Sequence, residues 1–382
     1  MSIHPHLIYR HYVGMKEVFL YRKVFVYYPK GKQSGGPEAL HQLVDSLRRQ
    51  GVDAFLVPYP QSIHKERVEQ YSHYDAPESS RIEDTDDAAV VAGEGQYALL
   101  FRVRHAAVIC WWLAIESSVL YQSLRLPYLR PYEAPRNRTI GFAKDRTIEA
   151  IGRFRRLSYR DDHFTHVTQS QYAWSFLADR KKTLPSMLSD FTPNQEFISS
   201  FSTAPTARHG VSFNATKAQH LTSEVAKACP NVDFIPIQNM TQTEVYAALG
   251  QSSVYLDLGA HPGKDRIPRE AALTGCVVSV ALRGAGAHTS DVPLPFEHKV
   301  RLDGDMTANA RDTIEAILRD REIAFAKQAS FRAKISAEKK TFDGETKAIF
   351  IEGLRGFDSP QSQALGSDYL IAPKNKKDSS PH

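Results

Sequence analysis

Two hydrophobic patterns alternate along this chain. Short runs dense in β-branched and aromatic residues predict buried strands at residues 24–28, 54–57, 88–92, 106–112 and 166–170. Between the first two, Leu40, Leu43, Val44 and Leu47 recur at the spacing of one helix face, which predicts an amphipathic helix over 38–50 with Gly51 as its stop. A strand, a crossover helix and a second strand in this order make the strands parallel. Residues 29–37 are a loop by composition, residues 62–87 are polar and acidic, and a further helix is predicted over 171–179.

The alternation restarts after residue 208. Strands are predicted at 210–213, 233–237, 253–258 and 277–281, with helices at 218–228, 241–250 and 270–276 between them. Thr241 and Glu244 stand at the spacing of a capping box. The intervening 181–208 carries Pro185, Pro193 and Pro205 among many serines and threonines, the composition of a connection between domains. A long helical pattern covers 308–340, and 356–382 reads as a mobile tail. The expected fold class is α/β, with two Rossmann-like doubly wound domains facing a cleft: 1–190, 191–340, then a C-terminal helix and tail over 341–382.

Composition narrows the class. The chain has 382 residues, 42% hydrophobic and 24% charged, enough for two ordinary soluble cores. No run of eighteen apolar residues predicts a membrane span, and the N-terminus has no signal-peptide pattern. Cys110, Cys229 and Cys276 lack metal-ligand spacing and read as buried reduced thiols, so a cytoplasmic protein is expected. The net charge of +5 is gathered at Arg136, Arg138, Lys144, Arg146, Arg153, Arg155 and Arg156, and at Lys374, Lys376 and Lys377. No nucleic-acid motif accompanies it, so no nucleic-acid partner is expected. A solvated surface and peripheral contact with the inner face of a membrane are the two readings left.

The chemistry concentrates at 259–275. Gly259, His261, Gly263, Lys264, Arg266 and Arg269 follow a predicted strand and precede a helix that Glu270 opens, an arrangement suited to an anion. Positive charge stands beside a carboxylate able to accept from sugar hydroxyls, which suits a sugar diphosphate. Glu94 and Glu116 each follow a predicted strand end, where open α/β sheets bind ligands. Trp111 and Trp112 are core aromatics or a sugar-stacking platform, and His41 is a packing or surface residue of the first helix.

These segments resemble a family, the GT-B type glycosyltransferases, and in particular the retaining group 1 enzymes. Gly35 and Gly36 in the first strand–helix loop are similar to the glycine pair with which such enzymes approach donor and acceptor. The turn from Asn214 to Lys217 is similar to the family's Asn-Pro-x-Lys turn, whose lysine faces the donor diphosphate. The segment from Asp265 to Val278 resembles the family's Glu, small-residue helix, Gly and strand. The pattern departs at one place: the first of the family's paired glutamates falls on Pro262.

The resemblance implies an enzyme, hexosyltransferase-like, moving a sugar from a nucleotide diphosphate-sugar to a glycan or lipid-linked acceptor, with a role in polysaccharide biosynthesis. It implies Gly35, Gly36, Asn214, Lys217, Gly259, Gly263, Lys264 and Arg266 at the donor. Glu270, His261 and Glu94 are the catalytic candidates, His261 reaching the donor sugar in place of the missing carboxylate. No Asp-x-Asp stands at a strand end, so no metal and no cofactor beyond the nucleotide-sugar co-substrate is expected. A non-catalytic carbohydrate- or nucleotide-binding relative and a nucleotide-sugar epimerase are the alternatives. Base, sugar, acceptor and stereochemical outcome stay open.

Overall fold

The computed structural model describes residues 20–117, 164–180 and 184–353. The arginine and lysine clusters at 136–156 and 374–377 lie outside the described residues, as does the tail. Two parallel sheets form, in the order β2-β1-β3-β4-β5-β6 and β11-β10-β9-β7-β8. The first comprises β1 (Lys23–Tyr28), β2 (Asp53–Pro58), β3 (Ala88–Gly93), β4 (Ala107–Trp112), β5 (Thr165–Thr168) and β6 (Ser186–Met187). The second comprises β7 (His209–Asn214), β8 (Phe234–Ile237), β9 (Ser252–Asp257), β10 (Val277–Ala281) and β11 (Lys299–Val300). Their central strands β3, β9 and β10 are buried along their whole length because helices cover both faces.

The described helices are α1 (Gly35–Arg49), α2 (Gln171–Arg180), α3 (Gln195–Ser199), α4 (Gln219–Ala228), α5 (Gln242–Gln251), α6 (Arg266–Leu273), α7 (Met306–Arg319), α8 (Arg321–Lys327) and α9 (Ala329–Phe350). Thr241 and Glu244 form the expected capping box on α5. Two helices start earlier than the pattern predicts. In α1, Ser34 is extended and its carbonyl accepts from the Glu38 N–H, which brings Gly35 and Gly36 into the first turn. In α6, Asp265 is the extended N-cap, so Arg266 is the first helical residue and not part of a loop. Pro37 and Pro268 fit because the first turn needs no intrahelical amide donor. The predicted 308–340 helix is three helices, interrupted at Asp320 and Gln328 and continuing past Lys340.

Each sheet has its own core, and α9 joins them. Phe331 and Ile335 pack with Val278 and Val280 of the second lobe, whereas Phe342, Ile349 and Phe350 pack with the first. Trp111 is fully buried, stacks on Phe342 with centroids 6.4 Å apart, and donates Nε1–H to the Leu188 carbonyl. Trp112 is also buried, with Nε1–H donating to His166, so both tryptophans are core residues. His41 packs between Tyr28 and Tyr71.

Asp343 pins α9 to α1. It accepts from Arg49, Ser46 and Lys339 at 2.7–2.9 Å. Burial alone would raise its carboxyl, but these donors outweigh it and hold the group at about 2. A depressed folded value stabilises above the unfolded value and fades as pH falls toward 2. Because its cationic partners are solvent-screened, Asp343→Asn should cost on the order of 1 kcal/mol at pH 7. In urea unfolding series, the gap between variant and wild type should shrink from pH 4 to pH 2; a gap independent of pH would contradict the assignment.

Candidate active site

In both sheets the strand order reverses, between β1 and β3 and between β7 and β9. A crevice opens at the carboxyl end of such a reversal. Besides the bridging by α9, several contacts between the lobes arise there, so the two carboxyl edges face each other. The Ile115 N–H donates to the Pro262 carbonyl at 3.1 Å, and the Lys264 N–H to Gln169 Oε1 at 3.2 Å. Asp291 of the second lobe accepts from the first free amides of α2, Gln171 and Tyr172, at 2.7 and 3.0 Å. Arg266 Nη1 reaches Glu38 of α1 at 2.6 Å.

Arg266 is the most informative of these groups. Only Nη1 is paired. Nε and Nη2, the side edge of the guanidinium that can grip two oxygens at once, are buried with no hydrogen-bond partner. Buried donors left empty cost about 1–3 kcal/mol each. The empty edge borders Gly35, where an added Cβ would lie 3.8 Å from Nε. Gly35 and Gly36 open a helix of 15 residues whose first amides have no intrahelical acceptor. Neither glycine has positive φ, so their service is the missing side chain beside Arg266 and Leu113, not an unusual backbone. A guanidinium edge, helix-start amides and the positive end of a dipole thus converge, an arrangement of donors suited to an anion.

Glu270 stands on the next turn of α6, buried, with Tyr246 O–H donating to it at 3.5 Å. Burial raises its carboxyl above the ordinary range, although Arg266 and Arg269 pull the other way. Lys217 Nζ lies 2.8 Å from Asp265 Oδ2. The turn that presents it is held by Asn214, whose Oδ1 accepts from both Thr216 N–H and Oγ1–H at 3.0 and 2.7 Å. Burial works against the Lys217 charge, but Asp265 and Asp257 outweigh it and raise the ammonium. Glu116 of the first lobe also favours that ammonium and accepts from Tyr172 O–H at 3.2 Å. Lys217 and Glu116 therefore belong to opposite walls of one crevice.

His261 is placed differently from the expectation. It is 1% exposed, with Nδ1 3.0 Å from Asp265 Oδ2 and Nε2 3.9 Å from Asp257 Oδ1. The backbone at Gly284 and Gly286 closes over it. Burial disfavours its charge, but the two carboxylates outweigh that and raise it, while Asp265 is held at about 2 by Lys217 and His261 against its own burial. Among the described residues, Asp257, His261 and Asp265 are the group whose ligand atoms come close enough to hold a metal, within 4.8 Å. Lys217 and His261 already share Asp265 Oδ2, at 2.8 and 3.0 Å. His261 positions Asp265, and through it Lys217, instead of extending to a sugar.

Lys264 is also redirected. Its ammonium lies 3.3 Å from Glu338 and 3.6 Å from Asp190, and its side chain is 6% exposed. Arg269 joins the same buried group, at 2.7 Å from Asp190 and 2.9 Å from Glu338. It also donates to the carbonyls of Asp265 and Lys264, which fixes the loop before α6. Lys264 and Arg269 are therefore a buried junction of linker, α6 and α9. Gly263 serves the meeting of the lobes: a Cβ there would stand 2.2 Å from the Leu113 carbonyl oxygen. Gly259 lies against Lys217 and donates its N–H to Asp257. Glu94 uses both carboxylate oxygens on the Leu113 and Ala114 amides, at 2.9 and 3.0 Å, bracing the loop that meets Pro262. Burial raises its carboxyl despite those bonds.

Sequence reasoning missed Glu38, Asp190, Glu338 and Asp291. Glu38 had a local signal, an acid in the first turn after a glycine pair. The others act across long sequence separations and leave no local trace.

No family model matches the sequence, and neither does any curated protein. Solved structures do match in shape. Sucrose-phosphate synthase from Thermosynechococcus elongatus superposes with a TM-score of 0.55 at 10% identity, covering 91% of this chain and 100% of that one. TarM gives 0.54 at 8% identity, covering 84% and 97%. WaaG, a glycosyltransferase involved in lipopolysaccharide biosynthesis, gives 0.51 at 10% identity, covering 86% and 99%. The chain has the GT-B fold, two Rossmann-like lobes on facing carboxyl edges. At these identities the likeness is one of architecture. No described helix is long and apolar enough to cross a membrane.

Proposed function

We propose that this protein is a glycosyltransferase that takes a sugar from a nucleotide diphosphate-sugar. One observation carries the reading: the buried, unpaired Nε–Nη2 edge of Arg266, set at the N-terminus of α1 where the lobes meet. A leaving diphosphate gains charge as the glycosidic bond breaks, and pre-placed donors aimed at that charge lower the barrier. Arg266 and the Gly35 and Gly36 amides are those donors, with Lys217 across the crevice. Glu270 accepts from ribose or sugar hydroxyls. The protein's own cations supply the electrostatic stabilisation, so the reaction is metal-independent. Glu116 belongs to the acceptor wall, Glu94 braces the loop behind it, and the acceptor is a glycan or lipid-linked sugar, met in the cytoplasm or at the membrane's inner face.

A non-catalytic binding protein is the second reading. It is favoured by Pro262, which stands where the family has its first glutamate and whose carbonyl is committed to Ile115. A panel of UDP-, GDP- and dTDP-sugars with oligosaccharide, lipid-linked and DNA acceptors separates the readings. Acceptor-dependent release of nucleoside diphosphate, unaffected by EDTA, is the expected result. Isomerised donor would point to an epimerase, and binding without turnover to the inert reading.

A further inference from the structure

We infer that Glu38 is a positioning residue that couples closure of the two lobes to capture of the donor diphosphate; this rests on the function proposed above. Glu38 belongs to the first lobe and Arg266 to the second, and their 2.6 Å contact joins α1 to α6 across the crevice. The contact takes Nη1 and leaves the Nε–Nη2 edge turned to Gly35. A carboxylate on Nη1 anchors one corner of the guanidinium and restricts the directions in which its other donors can point. The orientation of the empty edge is therefore set from the opposite lobe, and only when the lobes are together.

Glu38 is itself held from the hinge. Tyr74 O–H donates to Glu38 Oε1 at 2.8 Å, and Gln42 Nε2 donates to the Tyr74 oxygen at 3.3 Å. Gln42 also donates to the Phe191 carbonyl at 2.9 Å and accepts from the Phe191 N–H at 3.3 Å. Phe191 is the neighbour of Asp190 in the segment joining the lobes. A hydrogen-bond chain thus runs from that segment, through Gln42 and Tyr74, to Glu38 and Arg266. It lies inside the fold and touches no substrate before Arg266.

The burial of the empty edge gives the direction of the coupling. Closed without a ligand, the structure strands two guanidinium donors away from water; closed on a diphosphate, it satisfies them. A ligand that relieves an unsatisfied group in one state shifts the population toward that state. The donor enters while the lobes are apart, and closure through Glu38 then seats the guanidinium on the diphosphate.

The test uses the full chain, with UDP, GDP and dTDP titrated by calorimetry and the distance between a spin label on each lobe measured with and without nucleotide. Wild type is expected to bind one of the three and to narrow its inter-lobe distance distribution on binding. Glu38→Ala should weaken that binding about tenfold or more and leave the distribution broad. Glu38→Gln, which retains an oxygen acceptor, should recover part of both. Tyr74→Phe, remote from the ligand, should change both in the same direction by a smaller factor. A purely structural role would lower the melting temperature and leave affinity and closure unchanged, which would overturn the inference. Tighter binding by Glu38→Ala would also overturn it, because Glu38 would then be a competitor for Arg266. Should wild type bind no nucleotide, the functional reading fails by itself. The role of Glu38 is then decided by the unliganded distances: broadened in Glu38→Ala if it holds, unchanged if it does not.

Discussion

Arg266→Ala is expected to lower kcat/KM for the donor about 100-fold, the loss typical of removing one pre-organised donor from a developing anion. The folded state should survive with a lowered melting temperature, because Glu38, its ion-pair partner, keeps a hydrogen bond from Tyr74. Arg266→Lys should not restore the rate. A lysine is a point charge on a flexible stem and offers no planar two-donor edge, so charge alone leaves the fork unreplaced. The effect should fall on nucleoside diphosphate affinity as well as turnover, since the edge faces the leaving group in ground state and transition state alike. Steady-state kinetics with a saturating acceptor, together with nucleotide titration, checks this. Wild-type kinetics in both variants would remove Arg266 from the site.

The largest effect on stability is expected at Asp190. Asp190, Lys264, Arg269 and Glu338 are each nearly inaccessible, with side chains 2–6% exposed. The attraction of Arg269 and Lys264 outweighs burial and keeps Asp190 below the ordinary carboxylate range. Such a cluster adds little net stability over a well-packed apolar core, but deleting one member strands the opposite charges. Asp190→Ala should therefore cost about 3–5 kcal/mol. In a thermal melt the midpoint should fall by roughly 10 °C. Removing Asp303, whose pair with Arg301 is exposed, should leave the midpoint unchanged. A wild-type melt for Asp190→Ala would mean that water reaches the junction. Activity should also fall in this variant, because Arg269 holds the carbonyls of Asp265 and Lys264 just ahead of Arg266.

Much of the architecture was legible in the chain. The run 88–92 is apolar at every position and 253–258 is interrupted only by Ser253 and Asp257, the mark of strands covered on both faces, so two parallel sheets followed from the pattern. The helix starts were misread because Gly35, Gly36 and Pro268 look like loop residues; a first turn tolerates them, since its amides have no intrahelical acceptor to lose. The strands Ser186–Met187 and Lys299–Val300 are too short to carry a period. Within the candidate site, Lys217 and the glycine pair were nominated from the family resemblance, and Arg266 and Glu270 from local chemistry at a strand end. His261 and Lys264 were assigned to the donor for the same reason, and the fold turned both inward, His261 between two carboxylates four residues to either side and Lys264 onto Asp190 and Glu338. Residue type and spacing mark which loop is chemical. They do not say which of its side chains faces the crevice, because that depends on partners such as Asp190 and Glu338, 74 residues distant on either side of Lys264 in the chain.

The central claim is that a diphosphate lies between the side edge of Arg266 and the first turn of α1. A crystal structure with the preferred nucleoside diphosphate bound tests it directly. The expected result is phosphate oxygens within hydrogen-bond distance of Arg266 Nε and Nη2 and of the Gly35 or Gly36 amide, with Glu38 still on Nη1. A nucleotide seated elsewhere, with the Nε–Nη2 edge still empty, would contradict it.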